Sequence, residues 1–159
     1  MRKNRFTAFA ASCAILLLTL LALPSCENFH ENNGDLGGMW QLTQWTQLNA
    51  DGSTTIKATN EDGIYYSVHR EIIQYTHFGP EKVKQELEYS RRYFSMFRHT
   101  ADSLIIYNIV NAKDEETLVE ASELKEYGIP EDGHFLINHL DADEMTLSYD
   151  KNILKFRKY

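Results

Sequence analysis

Beyond residue 37 the apolar positions of this 159-residue chain recur mostly every second residue, the period of a half-buried strand. Residues 39–48 carry Trp40, Leu42, Trp45 and Leu48 as apolar members, and the alternation skips between Leu42 and Trp45. That skip predicts a bulge or a strong bend in a first strand. Asp51-Gly52-Ser53 and Glu61-Asp62-Gly63 are turn signals. Residues 64–78 are β-branched and aromatic, which predicts one bent strand or two, ended by Gly79-Pro80. Residues 82–88 have the composition of a helix that Pro80 would open, but they alternate cleanly. The alternation favours a strand with Val83, Leu87 and Tyr89 on one face, continued by residues 91–98. Ala101-Asp102 marks a turn before a strand over 103–110 that is apolar on both faces. Three short strands over 134–140, 145–149 and 153–157 close the chain, joined by hairpin turns at 141–143 and 150–152.

Residues 117–127 alone read as a helix. Thr117 and Glu120 have capping-box spacing, and Gly128 followed by Pro130 supplies a stop. Seven or eight strands in meander order with one short late helix predict a mainly β fold. A closed antiparallel barrel removes sheet edges; a half-open sandwich is the alternative.

The front of the chain has a different pattern. Arg2, Lys3 and Arg5 precede an apolar run over 6–22, too short for a comfortable membrane span and suited to a signal peptide. Leu23-Pro24-Ser25-Cys26 follows, with Leu23 three residues before Cys26 and the small Ser25 at the cut. This reads as a lipoprotein signal over 1–25, with Cys26 as the lipidation site. A plain cleaved signal and a retained anchor helix are the alternatives. Residues 26–36 are then the lipidated Cys and a polar, Asn-rich tether expected to be flexible, and 37–159 the barrel domain. Lipidation would hold the chain on a membrane through acyl chains, with no spanning segment.

Composition narrows the partners. All 23 acidic residues lie after the signal, together with 13 Lys and Arg, a formal charge of −10 for the processed chain. Such a chain is a poor general binder of nucleic acid or anionic lipid. Cys13 lies in the signal and Cys26 would carry lipid, so the domain has no disulfide and relies on its core. Nine Tyr, eight Phe and two Trp suit a pleated interior.

Gly38-Met39-Trp40, at the start of the first strand, resembles the Gly-x-Trp mark of lipocalins and their calycin relatives. Several features accompany it: the lipoprotein signal, the tether, the meander strands, Tyr127-Gly128-Ile129 after the late helix, and a terminal Leu154-Lys155-Phe156 strand. Together they resemble the small lipocalin-like lipoproteins of Bacteroidota over about residues 37–159. The resemblance implies that Trp40 closes one end of the barrel under a basic residue late in the chain, for which Arg157 is the best placed. It also implies a place in a Gram-negative cell envelope, anchored at the outer membrane. The chain departs from other lipocalins in lacking their disulfides and later motifs, so no ligand is carried over.

Candidate chemistry follows from parity. If Val83, Leu87 and Tyr89 point inward, so do Arg91, Tyr93 and Phe97. Arg91 between Tyr89 and Tyr93 would then offer a carboxylate a permanent bidentate cation and hydroxyl donors. A reversing bulge, or a place for Arg91 in water at the barrel mouth, is the alternative. Six histidines do not form a metal site by spacing: His134 and His139 face opposite sides of one strand. Glu86 and Glu88 sit beside Lys82 and Lys84, as on a solvated face, and Asp141, Asp143 and Glu144 read as a turn. No nucleophile motif, metal motif or cofactor fingerprint is present, and no enzyme is expected. The expectation is a membrane-anchored binding module for a small apolar or amphipathic ligand, or for a carbohydrate or lipid fragment. A structural or protein-interaction lipoprotein, its barrel filled by its own side chains, is the second.

Overall fold

The computed structural model describes residues 33–78 and 92–159. Among the described residues ten antiparallel strands form one sheet: β1 (Gly38–Leu48), β2 (Thr54–Thr59), β3 (Ile64–His69), β4 (Ile72–His77), β5 (Arg92–His99), β6 (Ser103–Asn111), β7 (Asp114–Val119), β8 (His134–Leu140), β9 (Glu144–Tyr149) and β10 (Asn152–Lys158). Eight of them close a barrel in the order β1-β3-β4-β5-β6-β8-β9-β10, with β10 pairing back onto β1. The other two are branches. β1 pairs with β3 through Gly38–Gln41 and then with β2 through Gln44–Leu48. β6 likewise pairs with β8 near its start and with β7 near its end.

The irregularity expected in the first strand is a bulge: the register to β10 shifts between Leu42 and Gln44, and the Thr43 hydroxyl donates to the Lys155 carbonyl at 3.0 Å. It brings Trp45 to the interior alongside Trp40 and Leu42. The long apolar run over 64–78 is two strands, turned at Arg70-Glu71, where Arg70 has φ 52°. Residues 79–91, with the undecided 82–88 and with Tyr89 and Arg91, lie outside the described residues, as do the signal, Cys26 and the start of the tether.

The late helix is present, but it starts later than the expected 117 and is 3-10 in form. Thr117 lies in β7, and 3-10 turns begin only at Ala121 and run to Tyr127, interrupted at Leu124. No capping box forms; the Asp114 carboxylate instead accepts the Glu116 and Thr117 amides, each at 3.2 Å. β7 is almost wholly exposed, so a helix-like pattern found no core to dock on, and pairing with β6 prevailed. The stop was correct: Gly128 caps the segment in the left-handed region at φ 82°. A Cβ there would lie 2.5 Å from Leu154 Cδ2, so any other residue would strain the backbone and displace a buried leucine.

Among the described residues the inward side chains form one buried core. The Tyr66 ring packs edge-on to Tyr75 at 4.9 Å and against Phe156 at 4.8 Å, amid buried Leu42, Ile73, Leu147 and Leu154. From the mouth side, Leu124, Tyr127 and Ile129 insert into the same core. The Tyr66 hydroxyl donates to the Tyr127 carbonyl at 2.7 Å, and Tyr75 shares a 2.8 Å hydrogen bond with Ser95. Among the described residues no helix is long and apolar enough to cross a membrane.

Candidate functional site

One end of the barrel is sealed by its own chain. Trp40 is fully buried and donates its indole N–H to the Leu36 carbonyl at 2.8 Å, from the 3-10 turn Gly34–Leu36 that precedes β1. Lys158 stands directly opposite Trp40 in the β1–β10 register, and its ammonium lies 4.7 Å from the ring centroid. The basic residue over Trp40 is therefore Lys158, one position after the Arg157 expected from the sequence. Parity decides it: Leu154, Phe156 and Lys158 share the inner side of β10, whereas Arg157 is exposed and donates to Gln41 Oε1 on the outer side at 3.3 Å. Gly38 has φ 114°, a conformation that L side chains rarely adopt, and a Cβ there would also press on the stem of Lys158 at 2.8 Å.

Of the three residues expected to hold a carboxylate, only Tyr93 is described. It has the predicted inward parity, sharing its face of β5 with buried Ser95 and Phe97. Its ring meets Tyr127 edge-on at 5.5 Å, beside His77 at 5.8 Å from the same ring. Tyr93 is thus engaged by the segment that fills the mouth. Arg91 and Tyr89 lie outside the described residues.

The mouth has a cleft elsewhere. An open cleft of about 790 Å³ runs between the second half of β1, β2, the ends of β8 and β9, and the loop after Tyr127. At its floor the Trp45 indole N–H donates to Asn152 Oδ1 at 3.0 Å, both residues being buried. Lys57 of β2 places its ammonium 5.1 Å from the Trp45 ring centroid. Tyr149 packs edge-on to Phe135 at 5.5 Å, and burial pushes its hydroxyl up to about 12, so it stays protonated at neutral pH. Lys125 and Glu131 pair across the rim at 2.6 Å, and the Asp132 carboxylate accepts the His134 amide at 3.0 Å.

None of these groups was picked out from the sequence as part of a ligand site. Trp45 and Asn152 are 107 residues apart and meet only because β10 closes the barrel on β1. The remaining expectations concern turns and histidines. Asp141 accepts the Asp143 and Glu144 amides at 2.8 Å each and the His139 ring at 2.9 Å; these hydrogen bonds, the backbone ones foremost, hold its carboxyl below the usual range. Among the described residues no three His, Cys, Asp or Glu side chains cluster as metal ligands would.

A family model for a lipocalin-like domain matches residues 18–159. Among solved structures, the chain is similar to a lipocalin-like protein from Bacteroides uniformis ATCC 8492, at 22% identity and a TM-score of 0.51, covering 79% of this chain and 100% of that one. It is also similar to an uncharacterized protein from Bacteroides eggerthii DSM 20697, at 21% identity and a TM-score of 0.52, covering 77% of this chain and 98% of that one. At these identities the likeness concerns the fold. No curated protein was found to match the chain.

Proposed function

The chain belongs to the lipocalin-like domain family, and on that premise we propose that it is a lipid-anchored binding module of a Gram-negative cell envelope, at the outer membrane. The anchor is Cys26, after removal of residues 1–25, and the ligand is a small molecule held at the barrel mouth, either partly apolar or a carbohydrate or lipid fragment. The lipocalin-like barrel is in general a binding fold. One observation carries the choice of site: the described inward side chains pack into one buried core, while the open cleft beside Trp45, Tyr149 and Asn152 leaves room for a ligand. Ligand sites of β-barrels commonly lie in such mouths.

The packed interior favours a second reading, an interaction lipoprotein with no small-molecule ligand and an outer surface that meets a protein. One preparation separates the two. The processed chain is purified from a bacterial host and its intact mass is measured, which tests the anchor: residues 1–25 lost and acyl mass added, with both changes abolished in Cys26→Ala. Native mass spectrometry then looks for a stoichiometric small molecule. A bound molecule whose affinity is unchanged in Arg91→Ala supports the mouth cleft. A large loss in that variant moves the site to Arg91, Tyr89 and Tyr93. Consistently empty spectra favour the interaction reading.

A further inference from the structure

The cleft is selective in its chemistry. Only Ile129, Pro130 and Leu136 among its lining residues lack a polar side-chain group. Two of the polar groups are fixed and available. An indole nitrogen can only donate, so Asn152 must turn Oδ1 toward Trp45, which leaves its NH2 for another acceptor. Asn152 is itself only 8% exposed and lines the cleft, and its Nδ2 has no partner among the described residues. The Tyr149 hydroxyl is a second protonated group on the cleft wall without a hydrogen-bond partner among the described residues. Around them stand the carboxylates of Glu131, Asp132 and Asp150 and the ammonium groups of Lys57 and Lys125.

This set disfavours two ligand classes. An alkyl chain laid into the cleft would strip water from the Asn152 amide and the Tyr149 hydroxyl and return no hydrogen bond, a direct penalty. A phosphate or free carboxylate would need a surplus of positive charge, but two ammonium groups face three carboxylates, and Lys125 already pairs with Glu131. Neutral hydroxyl groups suit it. Each can accept from Asn152 Nδ2 or Tyr149 and donate to a carboxylate at the rim, so neighbouring hydroxyls on one ring satisfy donors and acceptors together.

We infer that the cleft binds a neutral, hydroxyl-rich ligand of saccharide type, with Asn152 and Tyr149 as its fixed hydrogen-bonding partners. This rests on the reading of the chain as a binding module with its site at the mouth.

The test is calorimetric titration of the processed lipoprotein, held in a detergent without sugar headgroups, with maltose, cellobiose, galactose and N-acetylglucosamine to high millimolar concentration. Decanoate is titrated in parallel as the apolar probe. The expected result is binding of at least one saccharide, weakened about three- to tenfold in Tyr149→Phe, as loss of one hydrogen bond implies. That variant keeps the ring against Phe135 and should melt like the parent, which separates lost contact from lost fold. Saccharide binding indifferent to Tyr149→Phe overturns the placement. Decanoate binding without saccharide binding overturns the ligand class and leaves the binding module standing. Silence to every probe overturns the inference and the mouth site together.

Discussion

At the scale of single residues, strand parity settles which side chains matter. Arg157, expected from the sequence, and its neighbour Lys158 are both basic, yet a strand sends them to opposite faces. Lys158 lies over Trp40, donates to the Asp35 carbonyl at 2.9 Å and runs its stem past Gly38. Its truncation therefore removes a cation–π contact, a hydrogen bond and packing at once. Lys158→Ala is expected to cost about 1–2 kcal/mol of stability, and Arg157→Ala less than about 0.5 kcal/mol, as for most surface changes. Urea titrations of the two variants give the comparison, and equal losses would contradict the assignment. The Gly-x-Trp pattern was legible in the sequence, and its indole is fully buried beneath Lys158. Which basic residue covers it was not, because a one-residue difference in where β10 begins reverses every face.

At the scale of elements, the segment over 114–129 divides into two pieces with opposite importance. Its first half, β7, is an exposed branch. Its second half buries Leu124, Tyr127 and Ile129, and Gly128 makes that insertion sterically feasible. Gly128→Ala combines a strained left-handed backbone with a clash on Leu154, for an expected loss of about 2–4 kcal/mol. Thr117→Ala is expected to change stability by less than about 0.5 kcal/mol, since Thr117 is an exposed strand residue; a helix N-cap would cost about 1 kcal/mol. Thermal melts of both variants test this division. The sequence located the stop at Gly128 because left-handed caps have a strong local signature. It misplaced the start, because Thr117 and Glu120 have the spacing of a capping box without the buried face that would make the helix form.

At the scale of the whole molecule, the filled interior makes a statement about pH. Burial pushes the hydroxyls of Tyr66 and Tyr75 far above the ordinary tyrosine value and that of Tyr149 up to about 12. A folded value above the unfolded one means stability that is complete below the unfolded pKa of about 10 and is lost as pH rises toward the folded value. Stability should therefore be insensitive to these groups at neutral pH and decline between about pH 10 and 12, with Tyr149 titrating near 12 while the fold persists. Tyr66 and Tyr75 should ionise only as the protein unfolds. Ultraviolet titration of tyrosinate beside circular dichroism checks it; full ionisation of all nine tyrosines at pH 10.5 in a folded sample would show that the interior is open to water. By itself the sequence determined the class of the molecule: a mainly β meander barrel, most of its strands and turns, and an inward Trp40 at the start of the first strand. Those follow from period-two alternation, turn residues and short motifs, which are local. Only the tertiary structure decided that β2 and β7 branch from the ring, that Tyr127 fills the mouth beside Tyr93, and that Trp45 meets Asn152 across 107 residues to build a cleft. Those depend on barrel closure, where register and bulges set which distant side chains share a face, and no local pattern carries that information.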